Sequence, residues 1–115
     1  MGWTNWREIA DKYNWHDDLF DSEEPACYEL AIAGPRGGDL RIVYIGETAN
    51  EKARIKTYAR SGSHLSRTID WHLNRGWHLF YRGQKMRSKK AAAAMQNRML
   101  ARYVYDWNVL MDRDQ

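Results

Sequence analysis

Tyr28, Tyr44, Arg54 and Tyr58 follow one another through the first half of the chain, with Arg54 and Tyr58 one helical turn apart and so on one helix face. A phenol donates or accepts a single proton, and an arginine offers a planar fork of donors that matches a phosphate. His64 comes shortly after, and Gln96 and Asn108 stand twelve residues apart near the other end. Gln96 lies in the row Ala92, Gln96, Met99, Tyr103, where a polar amide interrupts an otherwise apolar helix face. Such an amide is either a satisfied core group or a residue facing a cleft. Taken singly, the tyrosines read as cross-strand aromatics and Arg54 as a solvated helix charge.

The charge pattern favours a polyanionic partner. The formal net charge of +3 hides an acidic segment, residues 1–24, with two basic and seven acidic side chains, and a body of the opposite sign. Basic residues concentrate from Arg54 to Arg102. Arg60, Arg67, Arg82, Lys85, Arg87, Lys89 and Lys90 are the candidate DNA contacts, with Arg98 and Arg102 beyond them. A single cysteine, Cys27, excludes an internal disulfide framework and a multi-cysteine zinc site, and reads as a buried, inert thiol. No apolar run reaches the roughly 20 residues that span a bilayer. These features predict a soluble cytoplasmic domain with no membrane partner.

The elements that must position these residues follow from periodicity. Ala26 to Ala33 and Leu40 to Glu47 read as strands joined by the turn-forming Gly34-Pro35-Arg36-Gly37-Gly38. Helices are predicted over Asn50–Arg60, over His64–Arg75 behind Ser63, and from Ser88 towards Tyr105, with a third strand over Trp77–Tyr81. In the acidic segment, Trp6, Ile9 and Tyr13 fall at helical spacing and predict a short helix, part of a tryptophan-rich arm over 1–24 that precedes a domain over 25–115. That arm either docks on the domain or screens its basic face. The expected fold is α+β, a three-stranded antiparallel sheet flanked by helices in the order β-β-α-α-β-α.

This order and spacing resemble the GIY-YIG nuclease family. The first half of the signature stands as Ala26-Cys27-Tyr28, which keeps the tyrosine, and the second is intact as Tyr44-Ile45-Gly46. The stretch from Gly46 through Arg54 and Tyr58 looks like the family's strand-turn-helix, and Met95-Gln96-Asn97-Arg98 through Asn108 like its last helix and closing segment, so the likeness covers about residues 25–109. The resemblance implies an endonuclease that hydrolyses DNA phosphodiesters with one divalent metal, Mg²⁺ or Mn²⁺, in the style of phage and bacterial enzymes. It further implies Tyr28 as general base, on condition that its phenol pKa is pulled down, with Tyr44 positioning water or phosphate. Arg54 would clamp the scissile phosphate, Tyr58 or His64 would assist, and Asn108 would orient its neighbours. A homodimer on a palindromic or branched target would deliver two cuts.

One position departs from the family. Where the family carries the metal-binding glutamate, this chain has Gln96, whose neutral amide offers a hard cation only a carbonyl dipole. The expectation is an inactive or crippled nuclease, whether the glutamine is natural or introduced. The rival reading is a non-catalytic DNA-binding module, and a third is the same chemistry on RNA.

Overall fold

The computed structural model describes residues 2–16, 20–60 and 62–113. Asp17, Asp18 and Leu19 of the arm, and Ser61 after the first helix, lie outside the described residues. The order is β1 (Arg7–Ala10), β2 (Ala26–Gly34), β3 (Gly37–Thr48), α1 (Glu51–Ala59), α2 (Ser66–Leu73), β4 (His78–Lys85), α3 (Lys89–Arg102) and α4 (Asp106–Arg113). The fold is α+β with an antiparallel sheet, but that sheet has four strands, not three, in the order β1-β4-β2-β3.

β2 is central and buried on both faces, which is why its sequence is nearly continuous in apolar residues. It pairs with β3 through a hairpin whose Gly37 and Gly38 adopt positive φ, 82° and 101°, a conformation that costs glycine little. One sheet face carries Tyr28, Leu30, Tyr44 and Tyr81 against Ile55 and Tyr58 of α1 and Ile69 and Leu73 of α2. The other carries Cys27 and Ile45 against Met95 and Met99 of α3, with Tyr105 beside them. Asn50 caps α1 by accepting from Ala53 N (3.0 Å), and Ser88 caps α3 by accepting from Ala91 N (3.1 Å).

The arm is the first correction. Residues 7–10 form a strand on the open edge of β4, where a helix was predicted. Helical spacing placed Tyr13 on the apolar row, yet Tyr13 is 82% exposed while Ile9 and Ala10 are fully buried. An unpaired strand edge offers backbone partners that a short isolated helix lacks, and tertiary pairing overrides local propensity. Thr4 extends the pairing, its N–H donating to Gly83 O (2.9 Å) and its hydroxyl accepting from Gly83 N (3.1 Å). β4 also runs on to Lys85, past the Tyr81 end predicted for it, because β1 and β2 flank it on both sides. The last predicted helix stops at Arg102 and a separate helix, α4, follows.

The segment around α4 closes the outer edge of β3. Tyr105 packs with the core on the α3 side, Trp107 with the core on the other side, and Asn108 sits on the edge itself. Its Oδ1 accepts from Ile45 N (2.9 Å) and its Nδ2 donates to Ile45 O (3.0 Å), so one side-chain amide takes the place of a neighbouring strand. Arg41 and Asp106 add an exposed ion pair along the same seam. Replacing Asn108 by alanine is expected to lower unfolding free energy by about 1–3 kcal/mol, because it orphans a backbone donor and acceptor. Urea unfolding of Asn108→Ala beside the unchanged chain measures this, and an unchanged midpoint would show the edge needs no cap.

Candidate active site

The first half of the signature, on β2, lies directly beside the second, on β3, with Tyr28 opposite Gly46 in register. The Tyr28 ring leans across that glycine. A Cβ at position 46 would fall 2.4 Å from the Tyr28 phenol oxygen and 2.9 Å from the Tyr44 ring, so only glycine fits. Beyond Gly46 the Tyr28 hydroxyl shares a 2.6 Å hydrogen bond with the Tyr58 hydroxyl. Arg54, one turn earlier on α1, donates from Nη1 to Tyr28 Oη at 3.5 Å. Tyr44 stands 6.3 Å from Tyr28, centroid to centroid, and His64 lies edge-on to Tyr44 at 6.5 Å. The structure thus brings together Tyr28, Tyr44, Arg54, Tyr58 and His64, five residues that are remote in sequence.

Burial sets the electrostatics. The Tyr28 phenol is pushed well above its ordinary range, first by desolvation and then by the neighbouring phenols, with Arg54 only partly opposing. Tyr44 and Tyr58 rise for the same leading reason. The condition for Tyr28 as a base, a depressed phenol, is therefore not met in the site as it stands. For Arg54, partial burial works against the charge, but the facing phenols outweigh it and the guanidinium is held charged. His64 is shifted down, by partial burial and then by Arg54, so its exposed imidazole is neutral at pH 7.

Two further aromatic and acidic groups support the cluster and were not singled out in the sequence. Tyr81 stacks on Tyr28 at 5.5 Å and donates to Glu51 Oε2. Glu51 is buried in the first turn of α1, and a Cβ at Gly83 would fall 2.6 Å from its Oε2. An acidic residue opening a helix reads as a solvated cap, so nothing local in the sequence marks Glu51 as buried.

Gln96 is placed on the α3 side of the sheet, across from that cluster, and meets it only at the β3 backbone. It lies on α3 and donates from Nε2 to Ile45 O at 3.3 Å, the carbonyl that also accepts from Asn108. Its amide N–H is committed to the β3 edge, and only its Oε1 is left as a lone-pair donor.

The candidate DNA contacts separate into two groups. Arg60, Arg67, Arg87 and Lys90 are exposed. Arg82 is not one of a solvated set: it donates twice to the buried carboxylate of Glu29, at 2.7 and 2.6 Å, and lies against the rings of Trp3 and Trp6. Lys85 pairs with Glu24 (3.2 Å) and Lys89 with Glu47 (3.4 Å). Cys27 is fully buried and its thiol is pushed up to about 12, by desolvation and then by Glu29 and Glu47, so it is inert at neutral pH. Of the tryptophans beyond the arm, Trp107 is buried, Trp77 is partly so, and Trp71 is half exposed beneath Arg75.

Comparison with known proteins agrees with this geometry. The family model of GIY-YIG domain-containing proteins matches residues 2–74 and 67–114, and the chain belongs to that family. It is also similar to the protein Effector of Transcription 3 of Arabidopsis thaliana, 29% identical over 116 aligned residues that cover 91% of this chain and 43% of that protein. The chain therefore spans less than half the length of the curated relative it matches. No solved structure matches significantly. Among the described residues, no helix is long and apolar enough to cross a membrane.

Two outcomes follow from the packing. Gly46→Ala must displace the Tyr28 phenol and is expected to cost about 1–3 kcal/mol by overpacking, read as a lowered urea midpoint. The raised phenols stabilise the fold in their protonated form, so their contribution is complete below the unfolded tyrosine value of 10.0 and declines as pH rises above it. Urea titrations from neutral to alkaline pH should show a plateau and then a fall, with tyrosinate absorbance from the buried phenols appearing only on unfolding. Smooth ionisation of every tyrosine near pH 10 in the folded chain would contradict the buried cluster.

Proposed function

We propose that this domain is a metal-dependent DNA endonuclease of reduced activity. The observation that carries the reading is the charged guanidinium of Arg54 set among the hydroxyls of Tyr28, Tyr44 and Tyr58, at the strand pair that bears the family's signature. A phosphodiester needs its developing negative charge met by fixed donors, and this cluster is an anion-binding surface already assembled. Arg54 binds the scissile phosphate through two donors, as guanidinium suits. Tyr44 donates a hydrogen bond to a phosphate oxygen or to the attacking water. Tyr58 and Tyr28 act as neutral donors that keep Arg54 aligned. His64, exposed and neutral, is the group able to accept a proton from water at pH 7. A divalent ion of the Mg²⁺ or Mn²⁺ class, when bound, supplies charge to the phosphate and lowers the pKa of a water. Gln96 offers it only a neutral oxygen, which is the reason for expecting weak activity.

Exposed Arg60, Arg67, Arg87 and Lys90 suit contacts to flanking phosphates. Two copies on one duplex would account for cutting both strands. A second reading, DNA binding without cleavage, is supported by the Gln96 amide being committed to Ile45 and by the name of the plant relative, an effector of transcription.

Incubation of the chain with supercoiled plasmid, short duplexes and RNA, in Mg²⁺ and in Mn²⁺, separates these readings. The expected outcome is slow DNA cleavage that Gln96→Glu accelerates. Arg54→Ala should reduce it about 100-fold or more, the usual effect of removing a transition-state donor. DNA binding measured in EDTA should meanwhile stay within a few-fold. Retained binding with no cleavage by either form would leave the binding module as the function.

A further inference from the structure

On β2, on β3 and at the start of α1, the buried and half-buried carboxylates are Glu29, Glu47 and Glu51. Two of them are occupied. Glu29 accepts from Arg82 on Oε1 and from Tyr105 (2.6 Å) on Oε2, and Glu51 accepts from Tyr81. Glu47 is different. Its Oε1 accepts only a long 3.4 Å bond from Lys89, whose side chain is 63% exposed, and its Oε2 is buried with no hydrogen-bond partner. A buried carboxylate oxygen without a partner is costly, and such atoms point to a missing ion or water.

The position of Glu47 is specific. It directly follows the Tyr44-Ile45-Gly46 signature on β3, and alternation puts its side chain on the same sheet face as Ile45, the face that α3 covers. Gln96 comes from that helix to the Ile45 carbonyl, one strand repeat away from Glu47. β3 is the outermost strand, and Glu47 stands two residues beyond the point where Asn108 and Gln96 meet the Ile45 backbone. Glu47 and Gln96 both offer oxygens, the donors that hard divalent cations take.

We propose that Glu47, in place of residue 96, is the anionic ligand through which this site takes a divalent cation of the Mg²⁺ or Mn²⁺ class, with the Gln96 carbonyl oxygen as a neutral second donor. The assignment rests on the reading of the site as a phosphodiesterase. Lys89 holds the carboxylate until the cation displaces it.

Mn²⁺ binding to the whole chain, followed by the loss of free-ion paramagnetic resonance signal and by calorimetry, tests this without any cleavage assay. The chain should bind one Mn²⁺, Glu47→Gln should weaken that binding at least tenfold, and Gln96→Ala should change it by less than threefold. Lys89→Ala, a change at an exposed side chain, should tighten it several-fold by removing the competing ammonium. No Mn²⁺ binding by the unchanged chain, or equal binding by a folded Glu47→Gln, overturns the assignment. Should Glu47→Gln fail to fold by circular dichroism, Lys89→Ala decides: tighter binding supports the proposal and unchanged or weaker binding overturns it. Mn²⁺ held by Glu47 in a chain that cuts nothing would sink the nuclease reading alone, whereas cleavage undiminished in Glu47→Gln would sink the ligand assignment alone.

Discussion

The Tyr28 ring passes over Gly46 with no room for a side chain between them, and much of the molecule is arranged around that contact. It fixes the register of β2 against β3, since a one-residue slip would put Tyr28 on the opposite face. It also determines where α1 must lie, because the Tyr28 hydroxyl finds its partner in Tyr58 and its charge in Arg54. Tyr81 then stacks beneath Tyr28, Glu51 accepts the Tyr81 hydrogen bond, and Gly83 is kept small so that Glu51 can reach across β4. Two glycines, Gly46 on β3 and Gly83 on β4, flank Tyr28 of β2 on either side and make space for one column of phenols. The column is worth most as a rigid frame: its hydroxyls are held protonated by burial and hold Arg54 in one orientation.

The acidic groups show how a basic chain folds without repelling itself. Part of what reads as a uniform positive face is internally paired: Arg82 with Glu29, Lys85 with Glu24, Lys89 with Glu47. The Arg82–Glu29 pair is the deepest, and Trp3 and Trp6 of the arm lie against it. The acidic, aromatic N-terminal segment is thereby tied to the domain by a strand, by core residues Ile9 and Ala10, and by this covered ion pair. Exposed Arg60, Arg67, Arg87 and Lys90, with Arg98 and Arg102, are left on the surface to meet a polyanion.

Much of the site was legible because its residues sit on elements with strong local signals. The β2–β3 hairpin is announced by its glycine-rich turn, α3 by its cap Ser88, and Tyr28, Tyr44, Arg54 and Tyr58 by their order on the elements. What was not legible depends on contacts between distant segments. Residues 7–10 carry a helical pattern and become a strand only because β4 presents an open edge. Arg82 reads as one more basic residue until the buried Glu29 is found beside it, and Glu47 and Glu51 read as solvated charges because nothing nearby in sequence announces their burial. Asn108 was placed in the closing segment, but its use as a surrogate strand could not be read from its spacing alone.

The glutamine at position 96 has its own physical logic. The Ile45 carbonyl has two lone pairs at an open edge, and it receives two donors, one from Asn108 and one from Gln96. An ionised carboxylate at 96 has no proton to give that carbonyl and would turn away from it, toward the open side of β3 where a cation would sit. The residue at 96 thus chooses between closing the strand edge and presenting a charge beyond it. Glutamine makes the first choice, and the charge that the edge then lacks stands next to the signature itself, on a carboxylate with one oxygen unclaimed. Glu47 stands one strand repeat from Ile45, the residue whose carbonyl Gln96 meets, so the acidic side chain and the amide approach the same stretch of β3.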